Sequence, residues 1–406
     1  MSLLNTTIKL RLLQLFIGGT VGNLIKPFFA AVLTLGIGAT VSGSVMILCG
    51  SVALLIGLSG GTHSDEIGRK RILLYGEWVR LGGAILLWAA FLQSEVNYVL
   101  AAFGFMLHSA GSAYGRPAGD ALLYDNMNDL NRKLIMRLHY WVWNLTVLIG
   151  FLIGGVFFIE HKPVFFTLMF TISLLDLFII RFFKHTISDR NLRLSDWSIK
   201  KLPLHLLRSD RRFAAFSLAS TLQLTVEVGS ITLLSVVMLK DNIFWTVWNV
   251  QILPLAFFGV LITVNAVVML LGGLMQIKYL PQIDARLELW IGIACMTVGF
   301  GGLFQTKSPT LLILCVGTLS VGELFFKSSR NDLFAQILPV VQRGAYSSIN
   351  STLFRVAAAI APVLLILYDW LTLDAITVTI AIMMIISGVL LHQVATSLKV
   401  GAASVT

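Results

Sequence analysis

The stretch Gly61-Thr62-His63-Ser64-Asp65-Glu66-Ile67-Gly68-Arg69-Lys70-Arg71 packs acids, bases and two glycines into one short polar island. Apolar chain surrounds it. Val41 to Gly60 precedes it and a second apolar run opens at Ile72. Roughly 18 or more apolar residues suffice to cross about 30 Å of hydrocarbon as a helix. The island is therefore a connection between two membrane spans. Lipid leaves no other choice of structure, because an exposed backbone there must satisfy its own hydrogen bonds.

The same reading extends over the whole chain. Of 406 residues 57% are apolar and 12% charged, against about 25% charged in a soluble domain. Spans are expected near 11–37, 40–62, 72–94, 98–121, 137–159, 164–183, 212–238, 254–277, 287–305, 310–330, 344–368 and 374–396. The run from Leu12 is too long for a cleavable leader and is read as the first span. The longest polar stretch divides the twelve spans equally. The expected architecture is all-α: an N-terminal six-helix bundle (1–184), a cytoplasmic linker (185–211) and a C-terminal six-helix bundle (212–406), as pseudo-symmetric repeats. Asp196, Trp197 and Leu202 to Leu207 suit either an amphipathic helix on the membrane surface or a plain linker. Trp245 and Trp248, between spans seven and eight, are expected as interfacial anchors.

The net charge of +10 follows the membrane rather than a nucleic acid. Lys9, Arg11, Arg69, Lys70, Arg71, Arg132, Lys133, Arg137, Lys278, Arg286, Arg343, Lys399 and the bases of the central stretch fall on one face; Lys162, Lys240 and Lys307 fall on the other. The positive-inside rule then places both termini in the cytoplasm of a multi-pass protein of the cell (inner) membrane. Cys49, Cys295 and Cys315 lie apart in apolar runs without CxxC spacing, so neither a disulfide framework nor a metal site is expected. The chain contains no GxxxxGK[ST] loop, HExxH or recognisable nucleophile triad. ATP, catalytic metal and enzymatic turnover are not expected, and no cofactor is.

A glycine four residues before Asp65, followed by Gly68-Arg69-Lys70, resembles the signature connection of the major facilitator superfamily. Gly61 suits close helix approach and Gly68 a tight turn. Arg69 is placed to pair with Asp125. Arg116-Pro117-Ala118 and Ala121 to Asp125 resemble the end of span four in drug-exporting members. Gly150-Phe151-Leu152-Ile153-Gly154-Gly155 resembles the antiporter motif, with Phe151 where that motif has proline. His139 to Leu145 and Gly322-Glu323-Leu324 are similar to the LmrP-type proton-coupled multidrug exporters. The resemblance implies a switch loop of Gly61, Asp65, Gly68, Arg69 and Lys70. It implies proton coupling through Asp125 and Glu323, with His139 where the relative has an aspartate and Glu227 in the span that carries another acid.

Ionisable residues inside the spans are functional candidates in their own right, since a mid-membrane charge costs roughly 2.5–3.5 kcal/mol on insertion scales. Glu323 lies well inside span ten and Glu227 inside span seven; each must meet a cation, water or a proton. His139 titrates in the physiological range but lies near the end of span five. Lys26, halfway along span one, either snorkels or meets an acid or an anionic cargo. Glu77 and Arg80 are spaced for an intrahelical pair, and Asp176 has no evident partner in sequence. Lys26, Arg116, Tyr140, Trp143, Asn144, Gln223 and Arg355 are the expected cavity groups. Together these features point to a monomeric, proton-coupled exporter of amphiphilic drugs or lipid-like molecules, in contact with membrane lipids. The alternative is a proton symporter or a carrier of an anionic solute or lipid.

Overall fold

The computed structural model describes residues 5–93, 95–127, 131–183, 205–279, 285–339 and 343–403. The helices are α1 (Thr6–Ile37), α2 (Ala39–Ile67), α3 (Arg69–Leu92), α4 (Tyr98–Asp125), α5 (Arg132–Phe157), α6 (Lys162–Arg181), α7 (Leu206–Ser209), α8 (Arg211–Lys240), α9 (Pro254–Tyr279), α10 (Ala285–Gln305), α11 (Pro309–Ile337), α12 (Arg343–Ile360), α13 (Val363–Trp370) and α14 (Leu373–Ala403). An antiparallel pair, β1 (Trp245–Val247) and β2 (Val250–Ile252), lies between α8 and α9. The sequence pattern did not foretell that hairpin, nor the break of span eleven into α12 and α13 around Ala361 and Pro362. Most of the 185–211 linker, with Asp196, Trp197 and Leu202, lies outside the described residues; its end forms α7 and the Asp210 cap of α8.

Ten helical segments among the described residues are long and apolar enough to cross a membrane. The helix at span four falls short of that measure, and at span five the described apolar segment is Trp141–Phe157. α4 carries His108, Arg116 and Asp120 along its length.

The chain divides into two compact units, Met1–Ile199 and Lys200–Thr406. The same pairings recur inside each. α3 packs on α4 and α6, α2 on α4, and α1 on α5; correspondingly α10 packs on α11 and α14, α9 on α11, and α8 on α12. Small residues let the backbones approach. A Cβ on Gly76 would lie 2.8 Å from the Gly111 carbonyl oxygen, and one on Gly292 would lie 2.7 Å from the Phe326 amide nitrogen.

The signature stretch is mostly helix rather than an open connection. α2 runs through to Ile67, Gly68 alone breaks the rod at φ 104°, and α3 resumes at Arg69. That φ is strained for any residue with a Cβ. The tight approach falls on Gly60, whose missing Cβ admits the Tyr114 carbonyl, and not on Gly61, which has ordinary space against Pro117 at 3.8 Å. Ile67, Ile72, Leu73, Tyr114, Ile180 and Phe183 form a buried cluster beneath the break.

A candidate carboxylate and ammonium site

α11 starts on Pro309 and runs uninterrupted past the apolar depth. Helical spacing then sets Ser320, Glu323 and Lys327 on one face. Lys327 Nζ donates to Glu323 Oε1 and lies 3.5 Å from Glu227 Oε1 on α8. Gln223, one turn before Glu227, donates to Glu227 Oε2 at 2.8 Å. From α9, Asn265 Nδ2 donates to Glu323 Oε2 at 3.0 Å and to Ser320 Oγ at 2.9 Å. Three helices thus hold two carboxylates around one ammonium. The side chains of Glu323 and Glu227 keep 7% and 18% of their surface, while Lys327 keeps 42%.

A cavity of about 50 Å³ opens against this group, with Glu227, Asn265 and Glu323 as its polar wall and Ile231, Leu261 and Phe300 among its apolar lining. That space holds a few water molecules, each needing roughly 10–15 Å³. It is well short of the roughly 300–1,000 Å³ that encloses a drug-sized ligand. Arg330, one turn beyond Lys327, bonds to Ser220, Asn331 and Asn350 rather than to either carboxylate. An ion pair withdrawn from water recovers its desolvation cost only with such added hydrogen bonds. Here Gln223 and Asn265 supply them.

The site unites Glu227, Glu323 and Gln223, which the sequence flagged, with Lys327, Asn265 and Ser320, which it did not. The remaining candidates lie elsewhere. Arg69 donates to Asp125 Oδ2 at 3.2 Å and to Ser64 Oγ at 2.9 Å, so Asp125 sits in a partly exposed pair at the end of α4. Lys70 is buried and donates to the carbonyls of Arg181 and Phe183, closing the end of α6. Arg116 stands 5.3 Å from the Trp143 ring centroid, a cation–π distance. His139 precedes the apolar part of α5 and, like Asp125, belongs to the unit without Glu227 and Glu323. Asn144 and Arg355 are half-buried on α5 and α12. The side chains of Asp65 and Tyr140 lie outside the described residues.

Asp176 does have a partner. Arg80 bridges it to Glu77, pairing with Asp176 Oδ2 and, at 2.7 Å, with Glu77 Oε1. Gly18 of α1 makes room: a Cβ there would lie 3.2 Å from Asp176 Oδ2. Lys26 by contrast holds no hydrogen bond or ion pair among the described residues, and the charges acting on it are the cations Arg80 and Arg116. No group of three His, Cys, Asp or Glu side chains suited to a metal occurs among the described residues.

Comparison with known proteins agrees with this architecture. The chain is 22% identical over 393 residues to a protein of Planococcus maritimus named "Na(+), Li(+), K(+)/H(+) antiporter", covering 90% of each. It is 23% identical over 329 residues to an uncharacterised MFS-type transporter of Bacillus subtilis (strain 168), covering 79% of this chain and 76% of that one. Among solved structures, a peptide transporter POT in complex with alafosfalin matches with a TM-score of 0.75 at 15% identity, over 96% of this chain and 94% of that one. The nucleoside transporter NupG matches with 0.74 at 13%, over 96% and 100%. These two show the shared fold. A family model described as Major Facilitator Superfamily matches residues 12–362. The chain therefore belongs to the major facilitator superfamily: it is a multi-pass membrane protein that transports a small solute and is not an enzyme.

Proposed function

We propose that the chain is a proton-coupled antiporter in which Glu227 and Glu323 bind, in turn, a proton or a cargo cation. The observation that carries this reading is Lys327. A tethered ammonium already occupies the space between two carboxylates that a mobile cation would take. Two carboxylates answered by one ammonium leave room for one further positive charge. A proton and a cation therefore compete for it, and competition at one site is what couples their opposite movements. Protonation shifts the conformational population only as far as the two transport states differ in proton affinity. The cation antiporter of Planococcus maritimus lends the cargo class.

The cavity favours a small monovalent cation. Amphiphilic drugs, the cargo of the exporters that the sequence resembles, need several times its volume. A second reading, carriage of an anionic solute, rests on Lys26, which lies at mid-span without a partner among the described residues. The accompanying proposal for topology is a monomer with bundles 1–184 and 212–406, the segment 185–211 between them and both termini cytoplasmic.

A ligand panel on the purified chain tests the cargo. Sodium, lithium or potassium should raise its melting temperature at alkaline pH and progressively less as pH falls, because protons fill the same carboxylates. A shift independent of pH contradicts competition. An anion whose stabilising effect disappears in Lys26→Gln would move the assignment to the second reading.

A further inference from the structure

Arg80 stands at the middle of α3 and answers two carboxylates. It bonds to Asp176 Oδ2 of α6, and its Nε lies 2.7 Å from Glu77 Oε1, one turn earlier on α3. The second contact is one of charge, without the alignment of a hydrogen bond. Glu77 and Asp176 are both buried, Asp176 completely. One guanidinium balances one carboxylate. With both acids ionised, the group would hold an uncompensated negative charge out of water and beside a like charge. A buried pair of that kind is relieved by binding one proton.

The surrounding charges leave that imbalance in place. Arg11 of α1 also acts on both acids. It is already matched by Asp120 at 3.7 Å and donates to Gln14 Oε1 at 2.7 Å and to the Gly119 carbonyl at 3.1 Å. Lys26 of α1 and Arg116 of α4 are the other cations of this region, while the charges acting on Asp176 are those of Arg80 and Arg11. The buried His108 ring of α4 faces the cations Lys26 and Arg80. On α2, the His63 ring is engaged with the Tyr114 hydroxyl at 3.0 Å.

Hydrogen bonding identifies where the proton goes. Asp176 Oδ1 is buried without a hydrogen-bond partner among the described residues. Glu227 and Glu323, by contrast, receive neutral donors from Gln223 and Asn265. A bare carboxylate oxygen left unpaired in the interior bears its full desolvation cost, which a proton removes. The Ser173 hydroxyl, one turn before Asp176 on α6, is equally buried and unpartnered among the described residues, and it supplies an acceptor. A metal cation needs several oxygen ligands, and here the guanidinium already lies between the acids. Gly18 also packs so closely that a Cβ there would lie 3.2 Å from Asp176 Oδ2.

We propose that Glu77, Arg80 and Asp176 form a second proton site, within the unit Met1–Ile199, with the proton on Asp176 Oδ1. Binding leaves Arg80 and Glu77 as a neutral pair within α3 and gives up a charged tie between α3 and α6. The site is separate from Glu227 and Glu323 and does not depend on the cargo.

The test is difference infrared spectroscopy of the full chain in detergent, between neutral and alkaline pH. Exposed carboxylates are ionised at both and cancel. Wild type should show a carboxylic-acid carbonyl component that is lost in D176N. It should also be lost in E77Q, where Arg80 and Asp176 balance one another. E77Q reads the same proton if D176N does not fold. S173A should shift the component without removing it. Identical spectra for wild type and D176N overturn the proposal, as does a component that survives in E77Q. A component unmoved in S173A overturns the assignment to Asp176 Oδ1.

Discussion

At the scale of the residue, depth alone made Glu323 and Glu227 legible in the sequence, because a carboxylate amid apolar chain demands an explanation. Lys327 escaped the same argument. It stands near the end of the expected span, where a lysine reads as snorkelling. The missed signal was its i, i+4 spacing from Glu323, the same kind of offset that relates Glu77 to Arg80. Asn265 was invisible, since an amide in an apolar run carries no charge to flag it. If Lys327 neutralises both acids, Lys327→Met should lower stability, by less than the roughly 3–5 kcal/mol of a fully buried pair because the ammonium keeps 42% of its surface. Adding Glu323→Gln should recover most of it, because the remaining carboxylate keeps its bond from Gln223. Thermal unfolding of the purified variants measures both. A Lys327→Met protein as stable as wild type would show that the ammonium is not what holds the pair.

At the scale of the element, the helices followed directly from apolar run length, while the places where they touch did not. The sequence pointed to Gly61, yet Gly60 makes the close approach, because one residue is about 100° of helix rotation. The glycines of α3 and α4 work as a set whose register only packing reveals. A Cβ on Gly111 would lie 2.5 Å from the Arg80 amide nitrogen and as close to the Gly76 carbonyl. Gly111→Val should therefore destabilise by at least the roughly 1–3 kcal/mol of an overpacked core, and it should disturb the Arg80 bridge to Asp176. Gly82→Val, which meets nothing within 4 Å, serves as the control and should melt with wild type. Equal melting of the two variants would contradict the packing described. The β1–β2 hairpin illustrates a different limit. Its two-residue turn places Trp248 and Asn249 at φ 44° and 64°. Such turns favour Asn and Gly, and a tryptophan there disguises the signal.

At the scale of the whole molecule, composition alone marked a multi-pass membrane protein, and the Gly61 to Arg71 stretch carried the resemblance to the superfamily that matches over residues 12–362. Cargo is a property of a few side chains, which is why it was the least legible feature. Resemblance suggested amphiphilic drugs; the carboxylates around Lys327 and their small cavity favour a cation. The proposed exchange of protons for cations depends on Glu323 and Glu227. The most direct measurement uses proteoliposomes with an acidic lumen and a trapped pH-sensitive dye. Adding external sodium, lithium or potassium should collapse the gradient with wild-type protein. Glu323→Gln, folded and of wild-type melting temperature, should leave the gradient standing. Collapse at the wild-type rate in Glu323→Gln would contradict the account.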